Sequence, residues 1–247
     1  MQVQKEWFES WFDSPYYSSL YDNRNDDEAK RFVDNLIRHL QLKEDSRVLD
    51  IACGEGRHSL QLATYGYNVT GIDLAEQRIE VARQKENERT HFYVHDMRFP
   101  FYINYFDAAF NFFTSFGYFD KKRDHHMAAD TFAGTLKKGG FIVVDYLNKK
   151  YTEDRLVAAE EIEKKGVHFQ IRRSIEDKKF IKNIKVTDHN KNEEHIYQER
   201  VSAFDLQDFV TLFAASGLQL KQTFGDYNLN AYDEVTSPRL VMIFEKI

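Results

Sequence analysis

Only one cysteine, Cys53, occurs in the 247 residues. That excludes an internal disulfide framework and fits a reducing compartment. As a small apolar residue, Cys53 is read as packing in a turn rather than as a redox group. No apolar run reaches the roughly 18 residues that a membrane span needs. The segment Met1 to Trp7 lacks the basic-then-apolar pattern of an export leader. An excess of positive charge is lacking too: 34 Lys and Arg against 40 Asp and Glu give a net charge of −6. This argues against a general electrostatic grip on nucleic acid. The expectation is a soluble, cytoplasmic chain with neither membrane nor nucleic acid as partner. Hydrophobic residues at 42% and aromatics at 15% are enough for a core, and the length suits one large α/β domain with an elaboration.

The organising stretch runs from Val48 to His58. Val48, Leu49 and Ile51 form a short apolar run, as in a strand buried on both faces. Gly54 and Gly56 follow, where a turn needs permissive backbone and a ligand can approach closely. From Ser59 the pattern becomes helical, so the reading is strand, glycine turn, helix N-terminus: a nucleotide-binding geometry. A complete G-x-G-x-x-G is missing, because Ser59 stands where the third glycine would be. Asp50 just before the turn would repel a pyrophosphate, so a nicotinamide-dependent oxidoreductase is disfavoured. A ligand with a cationic head suits Asp50 better.

At Asp50, Gly54 and Gly56 the sequence resembles the class I S-adenosylmethionine-dependent methyltransferases, whose first motif is an acid followed by x-x-x-G-x-G. The resemblance covers roughly residues 28–148 and 205–247. It implies a Rossmann-like α/β fold: a seven-stranded mixed sheet flanked by helices, with the last strand antiparallel. Asp73 ends the second strand, 23 positions beyond Asp50, where an acid accepts hydrogen bonds from ribose hydroxyls; it also fits a helix N-cap. The resemblance further implies that Asp96 and Met97, after the third strand, meet the adenine. Leu74 and His95 flank these two sites. Ala52 belongs to the glycine turn.

The rest of the chain is read in order. Trp7, Phe8, Trp11 and Phe12 lie at helical spacing and make one aromatic face. That face either packs on the main domain or closes over the ligand, with Tyr17, Tyr21 and Arg24 toward the cofactor. Residues 1–27 are accordingly taken as a lid segment. The fourth strand, Phe106 to Phe113, leads into Thr114–Phe119 at the edge where open α/β sheets place their chemistry. Asn111, Phe112 and Ser115 are expected at the cofactor, and Phe116, Tyr118, Tyr146 and Tyr227 around the acceptor. The Asn/Asp-Pro-Pro-aromatic motif of nucleic-acid amino-methyltransferases is missing here. His125 and His126 are adjacent on a helix and do not face one ligand, so no metal site is expected. Lys137–Gly140 is read as closing that helix before a strand over Phe141–Leu147. On the third helix, Arg78 is expected to face water.

Between residues 150 and 204 the composition changes to alternating stretches over Val167–Ile171, Phe180–Val186 and His195–Val201. These predict a small antiparallel sheet, solvated on one face, that covers the active site or pairs subunits in a homodimer. The expected organisation is therefore a methyltransferase domain over 28–149 and 205–247, interrupted by the β subdomain 150–204.

The activity that the resemblance implies is in-line transfer of the sulfonium methyl of S-adenosyl-L-methionine to a small-molecule acceptor, with S-adenosyl-L-homocysteine as product. Two alternatives stay open: a protein or RNA acceptor, or a non-catalytic S-adenosylmethionine-binding protein. No catalytic base is assigned; Tyr118, His125 and Tyr146 are the candidates for managing charge at the acceptor.

Overall fold

The computed structural model describes residues 6–21 and 26–247. Two short helices come first, α1 (Trp7–Phe12) and α2 (Pro15–Tyr21), then the amphipathic α3 (Asp26–Leu40). An alternating series follows: β1 (Arg47–Ile51), α4 (Arg57–Ala63), β2 (Asn68–Asp73), α5 (Glu76–Arg83), β3 (Thr90–Val94), β4 (Phe106–Asn111), α6 (Lys122–Thr135) and β5 (Leu136–Leu147). Beyond α7 (Lys149–Asp154) come four consecutive strands: β6 (Ala159–Lys164), β7 (Val167–Glu176), β8 (Lys179–Asp188) and β9 (Glu193–Ser202). The chain ends with α8 (Leu206–Ala215), β10 (Leu218–Phe224) and β11 (Arg239–Lys246).

The main sheet has seven strands in the order β10-β11-β5-β4-β1-β2-β3. Strands β1 to β5 pair in parallel, and β11 is antiparallel to both β5 and β10. This is the fold class expected from the sequence. The strand order reverses between β1 and β4, and a crevice opens at the C-terminal ends of those two strands. Val48, Leu49 and Ile51 are buried on both faces by layers of helices. Asp205 accepts from the Asp208 amide, and Asp208 returns the bond, in a capping box that starts α8; Phe209, Leu212 and Phe213 of that helix are buried.

The four remaining strands form a separate antiparallel sheet in sequential order. Its first strand, β6, was not legible as a strand: Glu160, Glu161 and Glu163 are exposed, and no apolar alternation marks them. Backbone pairing with β7 alone makes it a strand. A second difference lies before β5. Leu136 already pairs with Phe106, so Lys137–Gly140 bulges within the strand instead of closing α6.

The N-terminal aromatic face divides between the two sheets. Phe8 packs in the main core with Phe116 and Phe119. Trp11, Tyr16, Tyr17 and Leu20 cover Val167, Phe169, Ile184 and Val186 of the four-stranded sheet. The Trp11 indole is fully buried and donates to Glu199 Oε1 at 2.7 Å. This strap also reaches across the crevice: Asp13 accepts from the Gln77 amide at 3.1 Å, at the start of α5.

Candidate cofactor and acceptor site

The glycine turn is built by left-handed backbone. Ala52, Gly54 and Gly56 have φ of 61°, 56° and 78°, a region that glycine enters at little cost and alanine only under constraint. A Cβ at Gly56 would stand 2.5 Å from the Phe92 ring, and one at Gly54 would stand 2.6 Å from the Arg78 guanidinium. Conformation therefore favours glycine at both positions, and at Gly56 the Phe92 ring leaves no space for a side chain.

Asp73 fastens this turn. Its carboxylate accepts from the Gly54 amide at 2.8 Å and from the Ala75 amide at 2.8 Å, joining the glycine turn to the start of α5. Burial raises its pKa against the lowering effect of Arg78. Asp50 is placed differently from the sequence expectation. It is 1% exposed, accepts from the Ser59 hydroxyl at 2.6 Å, and lies behind the turn rather than among the residues lining the cavities. Burial pushes its pKa up to about 7.

An inner cavity of about 670 Å³ opens beside Asp73. Of the expected cofactor residues, Ala52, Asp73, Leu74, His95, Asp96 and Met97 line it from the ends of β1, β2 and β3. Tyr17 lines it from α2, and Ser115 from the loop after β4. Tyr21, Phe112, Gly54 and the turn around it line an adjoining recess. The Asp96 carboxylate is gripped by the Arg98 side chain at 2.6–3.1 Å, and Arg98 also pairs with Glu6 at 2.8 Å. Asn111 is fully buried, with its Nδ2 donating to the Ile51 carbonyl at 3.1 Å, and does not line the inner cavity. Arg24 lies outside the described residues.

Several acceptor candidates sit elsewhere than expected. Tyr118 does line the cavity. Phe116 is fully buried in the core. Tyr146 is fully buried, its hydroxyl donating to the Ser202 carbonyl at 2.5 Å and tying the two sheets together. His125 is packed among Phe116, Phe119 and Phe204, and burial pushes its pKa down to about 4. Tyr227 stacks on Phe32 and donates to Asp145 at 3.1 Å, behind the cavity wall. Packing turned four of these five inward.

Several residues that line the cavities were missed, Arg78, Arg57, Glu199 and Arg239 among them. Arg78 folds back over the glycine turn, its guanidinium 5.0 Å from the Tyr17 ring, because α5 starts at the crevice rim. A second, outer cavity of about 890 Å³ adjoins the inner one and is lined by Arg57, Glu199 and Arg239, with Phe12, Tyr17, Phe113 and Tyr118 shared between the two. Behind it, Asp145 organises the wall. This carboxylate is fully buried and accepts from the Phe113 amide at 2.8 Å and from Arg239 Nε at 2.8 Å. It thereby holds two successive left-handed residues, Phe113 and Thr114 (φ 54° and 61°). An aspartate inside the apolar run Phe141–Leu147 was the available signal.

A doubly wound sheet with a glycine turn after β1 and an acid after β2 defines a class: nucleoside-binding Rossmann-like proteins, and the single antiparallel strand β11 narrows it to the class I methyltransferase architecture. Residues 48–140 match the methyltransferase domain family. In architecture the whole chain is similar to the class I S-adenosylmethionine-dependent methyltransferases. It is 36% identical over 107 residues to the putative methyltransferase YqeM of Bacillus subtilis, covering 42% of this chain and 43% of that one. It is 30% identical over 131 residues to dTDP-3-amino-3,4,6-trideoxy-alpha-D-glucopyranose N,N-dimethyltransferase of Streptomyces venezuelae, covering 52% and 54%. The match thus spans about half the length of these curated relatives. In fold it is similar to an S-adenosylmethionine-dependent methyltransferase from Clostridium acetobutylicum, with a TM-score of 0.76 at 16% identity over 93% of this chain and 95% of that one.

Proposed function

We propose that this protein binds S-adenosylmethionine in the inner cavity and directs its methyl group to a small-molecule acceptor in the outer one. The observation that carries the reading is the junction of the two cavities at Phe12, Tyr17, Phe113 and Tyr118, beside the turn that Asp73 fastens. The left-handed backbone of the glycine turn also packs closely on the Phe92 ring and the Arg78 guanidinium. In this reading Asp73 meets the ribose hydroxyls, Met97 packs on the adenine, and the Ala52–Gly56 backbone receives the methionine end.

When bound, the cofactor supplies an activated methyl: the acceptor's lone pair forms the new bond while sulfur keeps the old bonding electrons and becomes a thioether. The chain's own residues supply position and exclusion of water. Phe8, Phe12 and Tyr17 close the inner cavity from the strap side, and the strap with β9 encloses the outer one. That enclosure favours a small acceptor over a protein or RNA. Tyr118 is the hydroxyl placed at the junction, and an amine acceptor would release its proton to solvent without a strong base.

Calorimetric titration with S-adenosylmethionine, S-adenosylhomocysteine and NADH tests the reading. Saturable binding of the first two, weakened at least about tenfold in Asp73→Ala, is expected. Binding of NADH alone would overturn it.

A further inference from the structure

The charges in the wall of the outer cavity are already matched within the protein. Arg239 donates through Nε to Asp145 Oδ1 at 2.8 Å and through Nη2 to the Thr114 hydroxyl at 3.0 Å. Glu199 accepts from the Trp11 indole at 2.7 Å and from the Tyr21 hydroxyl at 2.6 Å, and Lys182 stands 3.9 Å from it. Arg57 lies 5.6 Å from the Phe113 ring and is not a free charge either. An ionised ligand entering here would give up its hydration and find these counter-charges engaged.

What the cavity does offer is aromatic surface. Six of its described lining residues are aromatic: Trp7, Phe12, Tyr17, Tyr21, Phe113 and Tyr118. Leu147 and Val201 add aliphatic wall. Trp7, Phe12 and Tyr118 fix one another. The Tyr118 ring stands 5.2 Å from that of Trp7, edge-on, and 5.3 Å from that of Phe12. The Trp7 indole N–H donates to the Tyr118 carbonyl at 3.2 Å, so its polar atom is satisfied inside the protein. All three rings are only half-buried. Apolar area that the fold itself did not cover is therefore left at the cavity, on rings already held in place. Such a wall favours a flat ring, which buries that area and adds offset or edge-to-face contacts.

Resting on the methyltransferase reading, we propose that the methyl acceptor is an uncharged aromatic compound whose ring packs in the outer cavity against Trp7, Phe12 and Tyr118. A substituent on that ring carries the reacting atom toward the junction, where Phe12 and Tyr118 also line the inner cavity.

The test uses the full chain at pH 7, saturated with S-adenosylhomocysteine and titrated calorimetrically with 2-naphthol, decahydro-2-naphthol, 2-naphthoate and 2-naphthylmethylamine. The first two share a hydroxyl and a two-ring outline and differ in aromaticity. The last two keep the aromatic rings and add a charge of either sign. 2-Naphthol should bind about tenfold or more tightly than each of the other three. Trp7→Leu should weaken 2-naphthol binding about tenfold, and Trp7→Phe, which retains a ring, should recover most of that loss. Equal or tighter binding of either ion overturns the proposal, and so does equal binding of the saturated alcohol. Absence of saturable 2-naphthol binding at millimolar concentration also overturns it, as does a Trp7→Leu variant that keeps full 2-naphthol affinity. The four-probe comparison is made on the unsubstituted protein, so it decides the matter even where Trp7→Leu fails to fold. An unsubstituted protein that does not bind S-adenosylhomocysteine removes the methyltransferase reading instead, so the two failures are distinct.

Discussion

Asp50 and Asp73 occupy equivalent ends of neighbouring strands, yet their surroundings give them different work. Asp73 binds two backbone amides at the cavity wall, where further lone pairs can meet a ligand. Asp50 is sealed behind the turn with Ser59, so its effect on the site runs through the shape of the turn. Tyr146 makes a similar contrast with Tyr118. Both were candidates for chemistry, but the Tyr146 hydroxyl is spent on Ser202 inside the core. Tyr146→Phe should therefore leave S-adenosylhomocysteine affinity unchanged. It should lower unfolding free energy by about 1–3 kcal/mol, the cost of leaving a buried carbonyl unpaired. Calorimetry and urea unfolding check the two halves. A variant with full stability and lost binding would return Tyr146 to the site.

At the scale of elements, the informative piece is the N-terminal strap. Helices shorter than about 12 residues are marginal on their own in water, so α1 and α2 hold their shape through contacts with both sheets. Trp11 is the central contact, fully buried and hydrogen-bonded to Glu199. Trp11→Ala should cost about 3–5 kcal/mol if the strap unfolds together with the rest of the chain. Since the strap contributes Phe8, Phe12 and Tyr17 to the inner cavity, the same variant should bind S-adenosylhomocysteine more weakly. Urea unfolding and titration on one preparation test this. Unchanged affinity would show that the strap is a support without a part in closing the cavity.

For the whole molecule, two buried titrations of opposite sense set a pH dependence of stability. Burial holds Asp50 near 7, above its usual 3.8. Between those values the folded chain keeps a proton that the unfolded chain has released, so this stabilisation is full below the window and is lost as pH rises through it. His125 acts in reverse. Its pKa falls from 6.5 to about 4 on burial, so its stabilisation is full above that window and is lost as pH drops through it. The two windows overlap and offset each other. Asp50→Asn should make stability climb more steeply with pH than in the parent protein, and His125→Gln should make it climb less. Equal slopes for all three in urea unfolding across the window would show that neither group titrates as its burial implies.

The sequence by itself determined the parts whose signals are local. An apolar run, two glycines and an acid in fixed order specify β1, its turn and the start of α4. Alternation of strands and helices specifies the parallel half of the sheet. Asp73 stands out as the acid at the second strand's end, Asp96 and Met97 were placed by the family resemblance, and all three line one cavity. Only the tertiary structure decided what those ends face. Asp50 turned inward because Ser59, nine residues on, offers a hydroxyl where solvent is excluded. Arg78 turned toward the cavity because α5 begins at its rim. Arg57, Glu199 and Arg239 are brought together by three elements far apart in the chain, β9 and β11 among them. No periodicity of one segment records that meeting, because burial and charge pairing are settled between segments, after each has formed.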